Sequence, residues 1–245
     1  MDRALYDVHS DLHERHWWFR ARKKIVNSLL GNAWYGREFN IGLDIGSGGG
    51  AMLELLKKFA SRLELLEPDK KLGRELATKY SDRVRVIVST LENFLPDKSY
   101  DFVTLFDVLE HIENDAAAIK KIYSILTPSG QLVVTVPAYT FLWSRHDVLA
   151  GHFRRYTCAK LVDLLEKNGF IVKKATYFNT FLFPAVYLVR LMQKIMTPRS
   201  TDFSYAGVGS LNEILYSIFF AEEKLLRLFN LPFGVSIFCL AEKTK

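Results

Sequence analysis

"LDIGSGGGAML", Leu43 to Leu53, decides the fold. Apolar residues flank an aspartate and run into a stretch in which four of five residues are glycine, and a pattern with helical spacing follows. A strand carrying Asp44 that passes through Gly46, Gly48 and Gly50 into a helix makes a tight strand-to-helix turn. Backbone N–H groups and the helix N-terminus face a ligand there, and missing side chains let that ligand come close. The loop alone leaves the ligand open. Gly46, Gly48 and Ala51 also fit the loose dinucleotide pattern GxGxxA.

Outward from the loop, apolar runs alternate with helical patterns. "LELLEP" is a second strand ending at Glu67, and "KKLGRELATKY" is helical. "RVRVIVST" and "DFVTLFDVL" read as strands, "NDAAAIKKIYSIL" as a helix, "TPSG" as a turn and "QLVVTV" as a fifth strand. "TCAKLVDLLEKNGF" is a helix capped by Thr157 and closed by Gly169. "FIVKKATYF" is a sixth strand, a helical insertion covers about 180–230, and "GVSIFCLAEK" is a seventh strand. Strands that are solid apolar runs are buried on both faces, so the pattern predicts an α/β parallel sheet wrapped by helices. The first 40 residues read as two helices preceding it, a helical cap on a 41–245 domain.

The 245 residues are 49% hydrophobic and 24% charged, an ordinary globular balance. Cys158 and Cys239 stand far apart without a ligand cluster, which favours reduced thiols in the cytoplasm over a disulfide framework. The N-terminus has no apolar signal region, and the longest apolar run, "TFLFPAVYLV", is too short to span a membrane. A net charge of +6 favours anionic partners without choosing among them.

Glu67, about 20 residues beyond the glycines, suits a ribose diol, so loop and acid together point to an adenosine-type ligand. Asp44 narrows the choice. A carboxylate two residues before the glycines repels a pyrophosphate and attracts the ammonium of a methionine. With "LDIGSGGG", "LELLEPDKK", "YDFVTLFDVLEHI" and "LTPSGQLVVTVP" in this order, the chain resembles the class I S-adenosylmethionine-dependent methyltransferases from about Ile41 to Phe178. The nearest flavour is the ubiquinone-biosynthesis-like subgroup, of the methyltransferase type 11 and 12 kind. The resemblance implies a seven-stranded, mostly parallel Rossmann-like sheet and S-adenosylmethionine as cofactor, with S-adenosylhomocysteine as product. It implies that Asp44, Gly46, Ser47, Gly48 and Gly50 hold the methionine part, Glu67 and Pro68 the ribose end, and that the Asp107–Val108–Leu109–Glu110–His111 turn lies beside the sulfonium, with Asp107, Val108 and His111 as its cofactor contacts. At the adenine end this sequence departs from the family, with Thr90 where an aspartate is usual. The contact then falls to Thr90 and Leu91, or to Glu92.

A dehydrogenase alternative rests on Tyr156-x-x-x-Lys160 with Ser144 upstream. It fails on the glycine spacing, because position 52 is Met, and on Tyr156 preceding the helix cap. Nucleic acid as a partner is disfavoured, since the basic residues are dispersed and no appended binding motif appears.

Methyl transfer needs an acceptor held in line and, for a hydroxyl, a base. "VPAYTFLWSRHDVLAGHFRRYT" follows the fifth strand, at the sheet end where ligands bind, and carries His146, His152, Arg145, Arg154 and Arg155. His146, His152 and His111 are the candidate bases, and the arginines candidate hooks for an anionic acceptor. "GHFRRYT" resembles a block in bacterial methyltransferases, many of them associated with envelope glycans or lipids. From Phe170 to Thr201 there is no Asp or Glu, so the helix over about 180–197 suits a lid over a lipid-like small molecule, a peripheral membrane contact or a homodimer face. The rival reading is a cofactor-binding module at a membrane surface without turnover. His9, His13 and His16 share a helix face, which reads as solvated or packed, and no metal is expected.

Overall fold

The computed structural model describes residues 15–80, 84–195 and 209–244. Alternation builds the sheet. In β4 (Tyr100–Phe106), Val103 and Leu105 enter one core and Phe102 the other, the two-residue period of a strand buried on both faces. β5 (Leu126–Pro137) divides Leu132 and Val134 from Val133 in the same way, and β7 (Ser236–Lys243) divides Ile237 and Cys239 from Phe238 and Leu240. With β1 (Phe39–Ile45), β2 (Ala60–Glu67), β3 (Val84–Val88) and β6 (Phe170–Phe178) they form one seven-stranded sheet, ordered β3-β2-β1-β4-β5-β7-β6. β7 is antiparallel to both neighbours, and the other pairs are parallel. The seven-stranded, mostly parallel α/β sheet expected from the sequence is present.

Helices cover both faces. α4 (Asp115–Ile125), capped by Asn114, and α6 (Cys158–Lys167), capped by Thr157, bury Ile119, Ile122, Leu161 and Leu165 on one side. On the other lie α1 (Trp17–Ala33), α2 (Leu53–Leu56) and α3 (Lys70–Lys79), with α8 (Ser210–Phe220) and α9 (Glu223–Leu228) from the insertion. α5 (Arg145–Ala150) follows β5, and α7 (Phe183–Ile195) follows β6. α1 buries Ile25, Val26, Leu29 and Leu30, with Phe19 in the core and Trp17 and Trp18 packed at its margin. Residues 1–14, with His9 and His13, lie outside the described residues.

Two local expectations change. The helix after the glycine loop is one turn, Leu53–Leu56, because Gly46, Gly48 and Gly50 all take positive φ (+68°, +54° and +77°) and spend the intervening chain on the turn. "TPSG" does not separate α4 from β5. Leu126 already pairs with Tyr100, and pairing resumes at Gln131 with Phe102, so the four residues bulge inside the strand, with Ser129 at φ +62°. Strand order reverses between β1 and β4, and the ends of β1, β2, β4 and β5 open onto one crevice, the ligand position of open α/β sheets.

Candidate active site

The glycine loop is pinned from beneath. Gly46 N–H donates to the Leu66 carbonyl at 2.7 Å, and Ser47 Oγ donates to the Asp44 carbonyl at 2.9 Å. A Cβ on Gly46 would sit 2.6 Å from Val108, so the glycine admits the turn after β4. A Cβ on Gly48 would meet nothing within 4 Å, which leaves an open cradle in front of its backbone.

Two acids flank the cradle. Asp44 is 3% exposed and accepts from Thr104 Oγ1 at 2.6 Å, since β1 and β4 pair in register there. Burial, opposed by hydrogen bonds from Thr104 and Ser47, lifts its pKa to about 7. Glu67, 1% exposed, spans the loop mouth. Its Oε2 accepts from Gly48 N–H at 2.8 Å and its Oε1 from Asp69 N–H at 3.0 Å. Desolvation raises its pKa and these backbone bonds pull it down. Beyond β3, Leu91 is buried, while Thr90, Glu92 and Pro68 are exposed. The Glu92 carbonyl accepts from Lys121 Nζ at 2.6 Å.

The turn after β4 holds the second half. Asp107 takes φ +56°, and Tyr139 and Asn179 take +55° and +58° after β5 and β6. Such conformations cost about 1–3 kcal/mol each and concentrate at functional sites. Asp107 accepts from Thr135 Oγ1 at 3.1 Å and pairs with Arg22 at 2.8 Å. Arg22 also donates to Thr135 Oγ1 at 2.7 Å and lies 5.0 Å from the Trp18 ring centre. An arginine from α1 thus reaches the sheet ends.

The loop after β5 converges on Asp147, which is fully buried and closes a capping box with Ser144. Its oxygens accept from Arg155 Nε at 2.7 Å and Nη2 at 2.9 Å, and Oδ1 meets His152 Nδ1 at 2.8 Å. Burial alone would raise this carboxyl, but the bonds from His152 and Arg155 hold it well below the usual range. Arg155 donates also to the Ala138 carbonyl at 3.0 Å, and Arg154 pairs with Asp115 at 3.0 Å and donates to the Ile112 carbonyl at 2.9 Å. The expectation that Arg154 and Arg155 hook an acceptor gives way here: protein acceptors already claim both guanidiniums.

His111 and His152 are brought together, ring centres 4.6 Å apart, and His146 lies 6.0 Å from His152. Burial, then His152, lowers the His111 pKa to about 4. Beside His111 and His152 stands Glu110, fully buried, with no hydrogen-bond partner on either carboxylate oxygen. Burial first and the Asp107 charge second push its pKa well above the ordinary value. The Phe153 N–H to Glu110 carbonyl bond, 2.8 Å, ties the two segments. Tyr139 stacks on Phe141 at 4.8 Å, and Phe141 meets Tyr187 of α7 at 5.8 Å, so the loop and the helix expected to enclose an acceptor do touch.

Tyr156 does not fit the dehydrogenase reading. It is 4% exposed, and its hydroxyl donates to Asp115 at 2.9 Å while Lys160 faces solvent. Two residues at these turns were missed by sequence reasoning, Arg22 and Asp147, and Glu110 was placed only as a member of the turn after β4. Arg22 carried a signal, since it shares a helix face with Trp18, Ile25, Val26 and Leu29.

Comparison with known proteins agrees with this geometry. A methyltransferase-domain family matches residues 14–175. A Mycolicibacterium smegmatis protein named "Probable S-adenosylmethionine-dependent methyltransferase" is 32% identical over 165 residues, 66% of this chain and 62% of the relative. A ubiquinone biosynthesis O-methyltransferase of Rickettsia felis is 27% identical over 96 residues, 38% of this chain and 39% of that one. The plantazolicin methyltransferase BpumL, solved with S-adenosylhomocysteine, superposes with a TM-score of 0.64 at 14% identity, covering 100% of this chain and 91% of its own. The chain spans about three-fifths of the length of the first of these relatives. The family match covers most of the sheet and every turn that frames the crevice, and on that ground the chain belongs to the class I S-adenosylmethionine-dependent methyltransferases.

Proposed function

We propose that the protein transfers a methyl group from S-adenosylmethionine to an oxygen of a small, partly apolar acceptor. The observation that carries the cofactor is the open cradle at Gly48 between two buried carboxylates, Asp44 and Glu67. Asp44 suits an ammonium, directly or through water, and the lone pairs left on Glu67 suit a ribose diol. Gly46, Ser47 and Gly50 shape the turn around the methionine part, with Pro68 at the ribose end. Asp107 and Val108 border the sulfonium end, and the adenine rests against Thr90 and Leu91, with Glu92 turned to solvent at its margin. When bound, the cofactor supplies a methyl group already activated on a positive sulfur. This chain's residues then have to place the acceptor in line and exclude water.

For the acceptor, the Glu110–His111–His152 cluster meets the reacting oxygen, and Tyr139, Phe141, Phe183 and Tyr187 wall its apolar part. Oxygen is favoured by the likeness to the ubiquinone biosynthesis O-methyltransferase. Leu188, Val189, Leu191 and Met192 of α7 are 46–59% exposed, which supports delivery of a lipid-like acceptor from a membrane surface. Among the described residues no helix is long and apolar enough to cross a membrane. Calorimetry with S-adenosylhomocysteine and NAD, together with transfer of labelled methyl to extracted lipids and quinol-type phenols, tests the reading. NAD binding without S-adenosylhomocysteine binding overturns it, and cofactor binding with liposome association but no turnover on any acceptor favours the non-catalytic rival.

A further inference from the structure

We propose that Glu110, His111 and His152 form a binding site for a first-row divalent metal ion, zinc being the probe of choice. The inference deepens the proposed function, resting on it only for what the metal would do. Among the described residues these three form a group whose ligand atoms all lie within 4.8 Å of one another. In a tetrahedral zinc site such atoms stand about 3.3 Å apart, so closing the cluster takes side-chain shifts of about 1 Å.

The buried carboxylate is the independent observation. Glu110 is 0% exposed, and both of its oxygens lack a hydrogen-bond partner. An orphaned buried carboxylate is among the costliest groups a fold can hold, and a cation between it and two imidazoles removes that cost. The second layer of contacts is in place as well. His152 Nδ1 faces Asp147 at 2.8 Å, which leaves Nε2 to point its lone pair at the cluster. Asp147 is in turn fixed by Arg155. A carboxylate behind a histidine that orients its ring and tautomer is the usual partner of a metal-ligating imidazole.

Two nitrogens and one carboxylate oxygen suit zinc and its first-row neighbours better than magnesium or calcium. Three protein ligands leave a coordination position open at the end of β4, where the acceptor oxygen is placed above. A hydroxyl bound there gives its proton to water more readily, and His111 and His152 act as ligands rather than bases. The sequence reading expected no metal: it weighed the histidines in the N-terminal segment and did not pair Glu110 and His111 with His152, which stands 41 positions after His111 in the chain.

The test is direct. Full-length protein is stripped with chelator and titrated with zinc by calorimetry, and cobalt binding is followed by its visible absorption. One zinc per chain is expected, with affinity at least tenfold weaker in Glu110→Gln, His111→Gln and His152→Gln. A His9→Ala/His13→Ala variant controls for adventitious binding and is expected to bind as the wild type does. Circular dichroism checks each fold. If Glu110→Gln fails to fold, His111→Gln, which is only half-buried, carries the decision. No zinc binding, binding indifferent to these substitutions, or binding lost in the His9/His13 variant overturns the site. S-adenosylhomocysteine affinity, measured on the same stripped protein, reports on the cofactor reading separately, so either can fail alone.

Discussion

Replacing Glu67 with Gln keeps the side chain's shape and removes its charge. In the wild type one oxygen accepts from Gly48 N–H and the other from Asp69 N–H, at 2.8 and 3.0 Å. The amide has a single accepting atom in place of two, so its NH2 must face one of those two N–H donors. One charge-assisted bond is lost, worth about 1.5–3 kcal/mol, and a donor–donor contact replaces it. The ribose also loses a charged acceptor. Glu67→Gln should therefore weaken S-adenosylhomocysteine binding by about 2 kcal/mol, near 30-fold in Kd. The loop should also exchange its Gly48 amide hydrogen faster. Calorimetry reads the first effect and hydrogen exchange the second. Wild-type affinity in a folded Glu67→Gln protein would refute the reasoning, because it would mean that neither the loop clamp nor the ribose contact contributes to binding. Faster exchange with unchanged affinity would leave Glu67 as a loop clamp alone.

Gly48→Val should abolish cofactor binding while keeping the fold, since its side chain enters open space; the left-handed φ adds about 1–2 kcal/mol of strain, visible as a lower melting temperature. Asp44, with a pKa of about 7, must ionise to hold an ammonium, so S-adenosylhomocysteine affinity should rise as pH rises through about 7 and level off above, and Asp44→Asn should flatten that profile in pH-resolved calorimetry. Arg155→Ala leaves the buried Asp147 carboxylate without its main counter-charge and should cost about 3–5 kcal/mol of stability in urea melts, whereas a mere acceptor hook would leave stability intact. Arg22→Met should strand Asp107, lowering both the melting temperature and cofactor affinity, while Lys23→Met on the same helix should do neither.

The sheet was readable because its central strands are apolar on both faces and announce themselves as runs, while β3 and β6, at its edges, showed through β-branched and aromatic residues around their charges. What failed locally failed for a shared reason: turn-forming residues do not say whether a turn ends an element or bulges within it. "TPSG" is absorbed into β5 because Gly130 can pack against the Thr127 carbonyl. Asp44, Gly48 and Glu67 were legible from their spacing around the glycine loop, and Glu67 reaches the Gly48 N–H. The acceptor side was less legible. Charge in the loop after β5 suggested hooks, yet Asp147, the residue that turns Arg155 and His152 inward, is one acid among many in the sequence. Glu110 was legible as part of the turn beside the sulfonium but not as a buried neighbour of His152, because the Phe153 N–H bond to its carbonyl comes from a distant segment.

The position of β7 has a consequence for how the chain is made. β7 is the last strand of the sheet to be synthesised, yet it lies between β5 and β6 and is the neighbour through which β6 joins the sheet. Until residues 236–243 are available, β5 presents an open apolar edge and β6 has no ladder partner. A nascent chain, or one cut before residue 236, would therefore expose two strand edges at once, the arrangement most prone to pairing with other copies. Pairing of β7 closes both edges in a single step, which makes truncation within residues 236–243 a predicted cause of aggregation rather than of a milder, local defect.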